Sequence, residues 1–285
     1  MTVSKVGVVG SGIMGGGITQ VAAAAGHEVL LRSRELAAAE GTVATIERSL
    51  ARQVDKGAIS AEERDAVMSR ITATDNLHDL AGCDLVIETV VEDLGTKRHL
   101  FSELDRICDD TTILATNTST LPVVEMAMET GRPEQVCGIH FFNPAPAMTL
   151  VEIVRPLTAS DETIAEAVAF AEGCGKTAVT VKDRAGFIVN ALLFPYLNHA
   201  VRLLENDVAS MEDIDAAMKG GCGFPMGPFA LLDLVGLDTS VAILEALYDE
   251  YRDPSYAPVP RLKRMVAAER LGRKTGAGFY EYKRP

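Results

Sequence analysis

Apolar runs alternate with amphipathic stretches from the N-terminus to about Asp183. The runs that predict strands are Val6–Val9, Glu28–Arg32, Leu85–Val90, Thr112–Ala115, Val136–Phe142, Leu150–Val154 and Ala178–Val181. Because most of these runs are continuously apolar, they indicate strands that are covered on both faces, as in a parallel sheet. The strand–helix alternation therefore predicts an α/β fold built on a Rossmann-type doubly wound sheet.

The helices predicted in this region are clearest near the start of the chain. An Ala-rich helix is expected over Ile13–Ala25, and a long amphipathic helix over Glu35–Gln53. A third helix is expected over Ala61–Ser69, because Ser60 is a suitable N-cap and Glu63 occupies the capping-box position.

After Asp183 the pattern changes, and helical periodicity replaces the strand signals. The helices expected there are Phe187–Glu205, Met211–Met218, Phe229–Tyr251 and Pro260–Glu269. Gly220–Pro228 and Asp253–Pro260 contain the glycines and prolines typical of loops. A chain of 285 residues is near the length at which one hydrophobic core divides into two. We therefore expect an α/β domain over residues 1–183 and an all-helical domain over residues 184–285.

Composition and charge exclude several classes of protein. Hydrophobic residues make up 47% and charged residues 24% of the chain, as in an ordinary globular protein. The 27 basic and 40 acidic side chains give a net charge of −13, which opposes binding to a nucleic-acid backbone. No apolar stretch approaches the ~20 residues of a membrane helix, and no targeting segment is recognisable. We therefore expect neither nucleic acid nor a membrane as partner.

The cysteines indicate a reducing compartment. They are odd in number and lack the spacing of a zinc site; their positions are Cys83, Cys108, Cys137, Cys174 and Cys222. Scattered thiols of this kind are typical of reduced intracellular proteins. We therefore expect a cytoplasmic protein without a metal.

A glycine motif follows the first predicted strand and opens the first predicted helix. Gly10-Ser11-Gly12-Ile13-Met14-Gly15 matches GxGxxG, whose glycines allow the tight turn, the approach of a pyrophosphate and close helix–strand packing. The N–H groups at the helix N-terminus favour phosphate. The motif therefore predicts a nicotinamide dinucleotide site, with cofactor contacts at Gly10, Gly12, Ile13, Met14 and Gly15.

The end of the second strand bears on the choice of cofactor. An acidic residue there accepts hydrogen bonds from the adenosine ribose of NAD, but this chain has Ser33 between Arg32 and Arg34. Serine carries no negative charge, and the arginine fork suits a 2′-phosphate. We therefore predict contacts from Ser33 and Arg34 and a preference for NADP over NAD. The alternative is that Glu35 binds the ribose and both arginines are solvated.

Polar side chains also follow later strands of the predicted sheet. Asn117 and Ser119 follow one strand, His140 ends the next, and Glu152 lies in the strand after that. Asn190 stands just beyond the domain boundary. Since polar groups at the carboxyl ends of such strands converge on the ligand crevice, we expect them to form one site.

With these motifs the chain resembles the 3-hydroxyacyl-CoA dehydrogenase family, and within it the short single-function 3-hydroxybutyryl-CoA dehydrogenases. The resemblance spans nearly the whole chain. Its motifs are Gly10–Gly15, Asp84–Glu92, Asn117–Ser119, His140–Pro146, Gly186–Asn190, Pro225–Pro228 and Gly272–Gly276 with Gly278-Phe279-Tyr280. Two departures are Ser33, where relatives usually carry an acidic residue, and Thr120, where they often carry serine.

The resemblance implies roles for the polar residues. His140 would be the general base for the 3-hydroxyl proton, or the general acid in reduction, and Glu152 would hold its imidazole. Ser119 would bind the reacting oxygen. Asn190 would position the substrate carbonyl, and Asn143 would support the same pocket.

The resemblance also implies contacts to the cofactor and to coenzyme A. Glu92, Lys97 and Asn117 would lie beside the cofactor. Ser49, Arg52 and Lys56 would contact an acyl-CoA substrate, or else form an ordinary solvated helix face. The resemblance to the short stand-alone enzymes further implies a short-chain hydroxyacyl-CoA as the substrate.

Other readings remain open beside the (S)-3-hydroxyacyl-CoA dehydrogenase. The same site would suit a hydroxyacyl group on acyl carrier protein, or a gulonate-type sugar acid, although Ser49, Arg52 and Lys56 argue mildly against the sugar acid. A cofactor-binding structural protein is the alternative outside enzymes. The apolar helices of residues 184–285 are further expected to bind substrate and to form a homodimer.

Overall fold

The computed structural model describes residues 3–283 of the chain. Its strands are β1 (Lys5–Val9), β2 (Glu28–Arg32), β3 (Ile71–Thr74), β4 (Leu85–Glu88), β5 (Ile113–Thr116), β6 (Val136–Phe141), β7 (Leu150–Arg155) and β8 (Thr177–Lys182). Its α-helices are α1 (Ile13–Ala24), α2 (Leu36–Asp55), α3 (Ala61–Met68), α4 (Leu94–Ile107), α5 (Val123–Ala127), α6 (Asp161–Gly173), α7 (Val189–Glu205), α8 (Met211–Cys222), α9 (Pro228–Val235), α10 (Leu237–Tyr251) and α11 (Pro260–Ala267). The described residues form two compact units, which divide between Asp183 and Arg184.

The first unit is built around one eight-stranded sheet in the order β3-β2-β1-β4-β5-β6-β7-β8. The strand order reverses between β1 and β4, so their carboxyl ends flank the crevice where ligands bind in open α/β sheets. Apolar residues of the strands and of α1, α2 and α6 share one buried cluster. The predicted doubly wound α/β sheet, followed by helices, is confirmed.

Two features of the sheet differ from the sequence pattern. β6 and β7 are antiparallel, whereas the apolar runs predicted parallel neighbours. A parallel pair needs a long crossover, and no helix lies between these two strands. The pattern also missed β3, a four-residue edge strand in which threonine alternates with apolar residues.

The second unit contains α7 to α11 and has its own buried apolar cluster. The single helix predicted over Phe229–Tyr251 is wrong, because Gly236, with φ of +103°, separates α9 from α10. The loop predicted to begin at Gly220 is also wrong at its start. α8 continues through Cys222 and ends at Gly223, which adopts the left-handed conformation that favours glycine.

Buried aspartates hold backbone turns of the second unit in place. Asp233 accepts hydrogen bonds from the backbone N–H of Phe279 and of Tyr280, both at 2.8 Å. A Cβ on Gly278 would lie 2.0 Å from Oδ1 of Asp233, so only glycine allows this approach. Asp215 similarly accepts the N–H of Phe229 at 2.8 Å. The Gly-Phe-Tyr motif near the C-terminus therefore has a packing explanation.

Within residues 3–283, no helix combines the length and the apolar character needed to cross a bilayer.

Candidate active site

The glycine turn between β1 and α1 is shaped by two kinds of constraint. Gly10 has φ of +121°, which L side chains rarely adopt, and a Cβ on Gly15 would lie 1.8 Å from the carbonyl oxygen of Gly10. A Cβ on Gly12, in contrast, would meet no described atom within 4 Å. Packing therefore accounts for Gly10 and Gly15, whereas the space beside Gly12 is open to a ligand.

The N-terminus of α1 suits an anionic group. Gly12 is the N-cap, and no side chain among residues 3–283 caps the helix. The first turn also lacks an acidic residue, so its N–H groups and positive dipole favour phosphate. Ile13 is largely exposed beside this turn, and Met14 packs against the core. These residues fit the pyrophosphate and adjoining parts of a nicotinamide dinucleotide.

The turn after β2 lies directly beside the glycine turn. Ser11 Oγ donates a hydrogen bond to Ser33 Oγ at 2.9 Å. Arg32 Nε donates to the carbonyl oxygen of Asp75 at 3.3 Å, so this arginine is held towards β3. Arg34 is exposed and forms no ion pair within the described part of the chain. The turn where a ribose is expected therefore carries the uncharged hydroxyl of Ser33, followed in the chain by the exposed Arg34.

Three of the predicted catalytic side chains form one hydrogen-bonded chain. The register of β6 and β7 places His140 opposite Glu152. His140 Nδ1 lies 2.8 Å from Glu152 Oε2, and His140 Nε2 lies 3.0 Å from Ser119 Oγ. The order of contacts is carboxylate, imidazole, hydroxyl.

The chemistry available to these three hydrogen-bonded side chains depends on their burial. Glu152 is fully buried, and only 4% of His140 is exposed. The Phe142 ring covers the imidazole at a centroid distance of 4.6 Å. A carboxylate held against Nδ1 selects the tautomer in which Nε2 accepts a proton, and it stabilises the imidazolium that results. The arrangement is therefore suited to general acid–base catalysis at Nε2.

The two predicted substrate asparagines lie in different units. Asn143 follows β6 in the first unit and is exposed. Asn190 lies in the first turn of α7 in the second unit, where it is buried. Their contacts with a substrate remain predictions.

The residues predicted beside the cofactor are tied to the Ser119 turn. Glu92 Oε1 accepts the N–H of Ser119 at 3.0 Å, and Lys97 Nζ lies 3.1 Å from Glu92 Oε2. Asn117 Oδ1 accepts the N–H of Phe141 at 2.8 Å and so joins the end of β5 to β6. Lys97 is only 1% exposed, which the sequence pattern does not indicate.

Glu88, at the end of β4, is a buried charge that the sequence reasoning missed. Both of its oxygens contact Lys97 Nζ, at 2.7 and 2.9 Å. Burial raises the pKa of Glu88, while Lys97 and the hydrogen bonds from Thr116 and Val90 oppose the rise. A signal existed, since a carboxylate directly ends an apolar run and a lysine follows on the next helix.

Two of the three residues predicted to contact coenzyme A line a cavity with the glycine turn. This cavity has a volume of about 500 Å³, and its lining includes Gly12, Ser49 and Arg52. Lys56 caps the C-terminus of α2 and is exposed outside that lining. The face of α2 that carries Ser49 and Arg52 therefore continues the candidate cofactor site.

Comparison with known protein families accounts for both units. The NAD-binding domain of 3-hydroxyacyl-CoA dehydrogenase matches residues 5–184, and the C-terminal domain of the same family matches residues 186–282. This chain belongs to the 3-hydroxyacyl-CoA dehydrogenase family. The resemblance found in its motifs is thereby confirmed.

Individual members of the family match along their full length. The 3-hydroxybutyryl-CoA dehydrogenase of Clostridioides difficile is 44% identical over 278 residues, covering 98% of this chain and 99% of its own. The crystal structure of Mycobacterium tuberculosis FadB2 superposes with a TM-score of 0.97 at 44% identity, covering 99% of this chain and 100% of its own. That of (S)-3-hydroxybutyryl-CoA dehydrogenase from Ralstonia eutropha has a TM-score of 0.96 at 41% identity, with the same coverage.

Proposed function

We propose that this dehydrogenase interconverts (S)-3-hydroxyacyl-CoA and 3-oxoacyl-CoA, with 3-hydroxybutyryl-CoA as its substrate. The main support for this proposal is the series of hydrogen bonds that runs from Glu152 through His140 to Ser119. It lies at the edge of the sheet that also bears the glycine turn. Relatives named 3-hydroxybutyryl-CoA dehydrogenase match over nearly their whole length, which supports the same substrate.

Each of the site side chains has a separate role in the proposed reaction. In oxidation, His140 Nε2 accepts the proton of the 3-hydroxyl, and Glu152 stabilises the imidazolium that forms. Ser119 Oγ, which faces Nε2, donates a hydrogen bond to the reacting oxygen. A nicotinamide nucleotide held at the glycine turn by Gly10, Gly12 and the N-terminus of α1 would supply the hydride acceptor for C3. In reduction, His140 returns the proton to the 3-oxo oxygen. Asn190 is assigned to position the substrate carbonyl, by its place in the family motif.

An assay of reduction tests the function. Acetoacetyl-CoA is mixed with NADH or NADPH, and nucleotide oxidation is followed by absorbance. Rapid oxidation with acetoacetyl-CoA, and not with the same acyl group on acyl carrier protein, is expected. Turnover of the carrier-protein substrate alone would favour a hydroxyacyl-carrier-protein dehydrogenase instead. Turnover of gulonate alone, assayed in the direction of oxidation, would favour a sugar-acid dehydrogenase. Binding of nucleotide without any turnover would point to a structural protein.

NADP is proposed as the preferred cofactor. Ser33 lacks the charge that would repel a 2′-phosphate, and the exposed guanidinium of Arg34 stands next to it. The variant Ser33→Asp should shift the ratio of kcat/KM values towards NADH by about tenfold or more, because a carboxylate binds the ribose diol and repels phosphate. The control variant Ser33→Asn introduces a side chain of the same size as aspartate but without its charge, and it should change the ratio far less. A wild-type enzyme that already prefers NADH tenfold contradicts this proposal.

Coenzyme A binding is proposed for the face of α2 that carries Ser49 and Arg52, with Lys56 at its end. Arg52 lines the cavity beside the glycine turn, whereas Arg48 on the same helix does not. Arg52→Met should therefore raise KM for acetoacetyl-CoA about 3- to 10-fold through loss of a charge-assisted contact. The matched variant Arg48→Met should leave KM within about twofold. Equal effects of the two variants would mean that α2 contributes only general charge.

A homodimer is proposed through the second unit. Leu192, Phe224 and Leu234 are large apolar side chains that remain 71%, 43% and 49% exposed in one protomer. Burial of such side chains against a second copy would remove apolar surface from water. Sedimentation equilibrium at micromolar concentration should give twice the mass of the chain, and a monomer would refute the dimer.

A cytoplasmic location is proposed from the thiol chemistry. All five cysteines are free thiols, and Cys83, Cys108 and Cys137 are buried. Unpaired thiols are typical of a reducing compartment. Fractionation of the native host with an antibody to the chain should place it in the cytosolic fraction, and recovery from outside the cell would contradict this.

A further inference from the structure

Glu88 is a fully buried carboxylate that no step of the proposed reaction uses. Its Oε1 accepts hydrogen bonds from Val90 N at 2.6 Å and Lys97 Nζ at 2.7 Å. Its Oε2 accepts from Thr116 Oγ1 at 2.7 Å and Lys97 Nζ at 2.9 Å. These contacts fill the acceptor capacity of the carboxylate. Any influence of Glu88 on the reaction must therefore pass through the groups that it holds.

The first route from Glu88 to the site runs through β5. Thr116 Oγ1 donates its hydrogen bond to Glu88, so its oxygen is free to accept the hydrogen bond that the N–H of Thr118 donates at 3.2 Å. Thr118 is 1% exposed and immediately precedes Ser119. The carboxylate thereby orients the hydroxyl that begins the Ser119 turn.

The second route runs through α4. The Lys97 ammonium, held by both oxygens of Glu88, also lies 3.1 Å from Glu92 Oε2. The other oxygen of Glu92 accepts the N–H of Ser119 at 3.0 Å and the hydroxyl of Thr118. Both routes therefore meet at Thr118, and the second route also reaches the N–H of Ser119.

We propose that Glu88 is a positioning residue that holds Ser119 Oγ against His140 Nε2, through Thr116 on one side and through Lys97 and Glu92 on the other. The proposal rests on the function proposed above. Ser119 and His140 are 3.0 Å apart, within hydrogen-bond range. A misplacement of about 1 Å in such a contact can cost about 10²-fold in rate. Loss of the Glu88 anchor should therefore slow the chemical step without removing any group that touches substrate.

Glu88→Gln is the principal variant, because it keeps the size of the side chain but places an amide where Lys97, Thr116 and Val90 all donate. Single-turnover oxidation of NAD(P)H with acetoacetyl-CoA should slow about 10-fold. The KM values for both substrates should stay within about threefold. An unchanged single-turnover rate in the folded variant overturns the proposal.

A double-mutant cycle separates positioning from general loss of structure. If Glu88 acts through Ser119, then Glu88→Gln should slow Ser119→Ala less than twofold, since the group that it positions is already absent. A merely structural role would slow the wild type and Ser119→Ala by the same factor, and that result would overturn the proposal. Inactivity of the wild type with acetoacetyl-CoA would instead refute the proposed function.

Control variants keep the test sound if Glu88→Gln folds poorly. Thr116→Val removes only the first route and should slow turnover about threefold. In the Ser119→Ala background the same change should have no effect.

Asp105→Asn is a control for stability, because it weakens another anchored turn of the same unit, where Asp105 holds Arg132 at 2.9 Å. It should lower the melting temperature and leave the rate per folded enzyme within about twofold. Loss of rate in Asp105→Asn equal to that in Thr116→Val would overturn the proposal.

Discussion

Both units bury carboxylates, but different groups face them. In the first unit, Glu152 lies against a ring nitrogen of His140 and Glu88 against the ammonium of Lys97. In the second unit, Asp233 accepts backbone N–H groups and the hydroxyl of Tyr282. Burial alone therefore does not distinguish a reactive carboxylate from an anchoring one. The difference is whether the partner takes part in proton transfer, as proposed for His140, or is only held in place, as Lys97 and the backbone N–H groups are.

Removal of the imidazole from the first unit should have the largest effect on activity. His140→Ala should lower kcat by at least about 10²-fold, the usual contribution of general acid–base catalysis. His99→Ala is the matched control, because that histidine is exposed on α4, with a side-chain exposure of 77%, and should be fully active. A folded His140→Ala enzyme with nearly wild-type kcat would exclude His140 from the mechanism.

Changing the carboxylate that holds the imidazole should have a smaller effect. Glu152→Gln retains the shape of the side chain but neither fixes the Nδ1 proton nor stabilises the imidazolium, so kcat should fall about 10- to 10²-fold. The Kd for the nucleotide, measured by fluorescence titration, should stay within about twofold. A change confined to nucleotide binding would contradict the role assigned to Glu152.

The corresponding change in the second unit should affect stability instead of rate. Asp233→Ala leaves the N–H groups of Phe279 and Tyr280 without their acceptor, so the free energy of unfolding should fall by about 2–3 kcal/mol. Urea denaturation measures this loss, and kcat per folded enzyme should stay within about twofold. Asp249→Ala, which breaks the exposed pair with Arg252, should cost less than about 1 kcal/mol. Equal losses in the two variants would mean that Asp233 is not an anchor.

Thiol reactivity should show the mildest difference between the units. Burial raises the pKa of Cys83 and of Cys137 to about 12 and that of Cys108 to about 11, so at pH 8 these thiols are protonated as well as shielded. Cys222 is exposed in the second unit. Titration with a disulfide reagent at pH 8 should modify Cys222 first, and the three buried thiols only when urea unfolds the chain. Rapid native labelling of Cys137 would contradict the burial described for the first unit.

The sequence by itself indicated the fold class, the family and the three residues Ser119, His140 and Glu152 that the structure joins by hydrogen bonds. Short-range chemistry made this possible: a GxGxxG motif works only between a strand and a helix, and continuous apolar runs predict strands that are covered on both faces. The capping box predicted at Ser60 and Glu63 is present for the same reason, since both of its hydrogen bonds are local. The break at Gly236 escaped the pattern because apolar periodicity continues across it.

Only the tertiary structure decided which charges are buried and what they hold. Glu88 and Lys97 are nine positions apart and would pass for solvated residues, yet both side chains are almost completely buried. Likewise, the antiparallel register that sets His140 opposite Glu152 depends on how β7 pairs with β6. Such contacts join residues that are distant in the chain, and their strength depends on exclusion of water, which no local pattern of residues specifies.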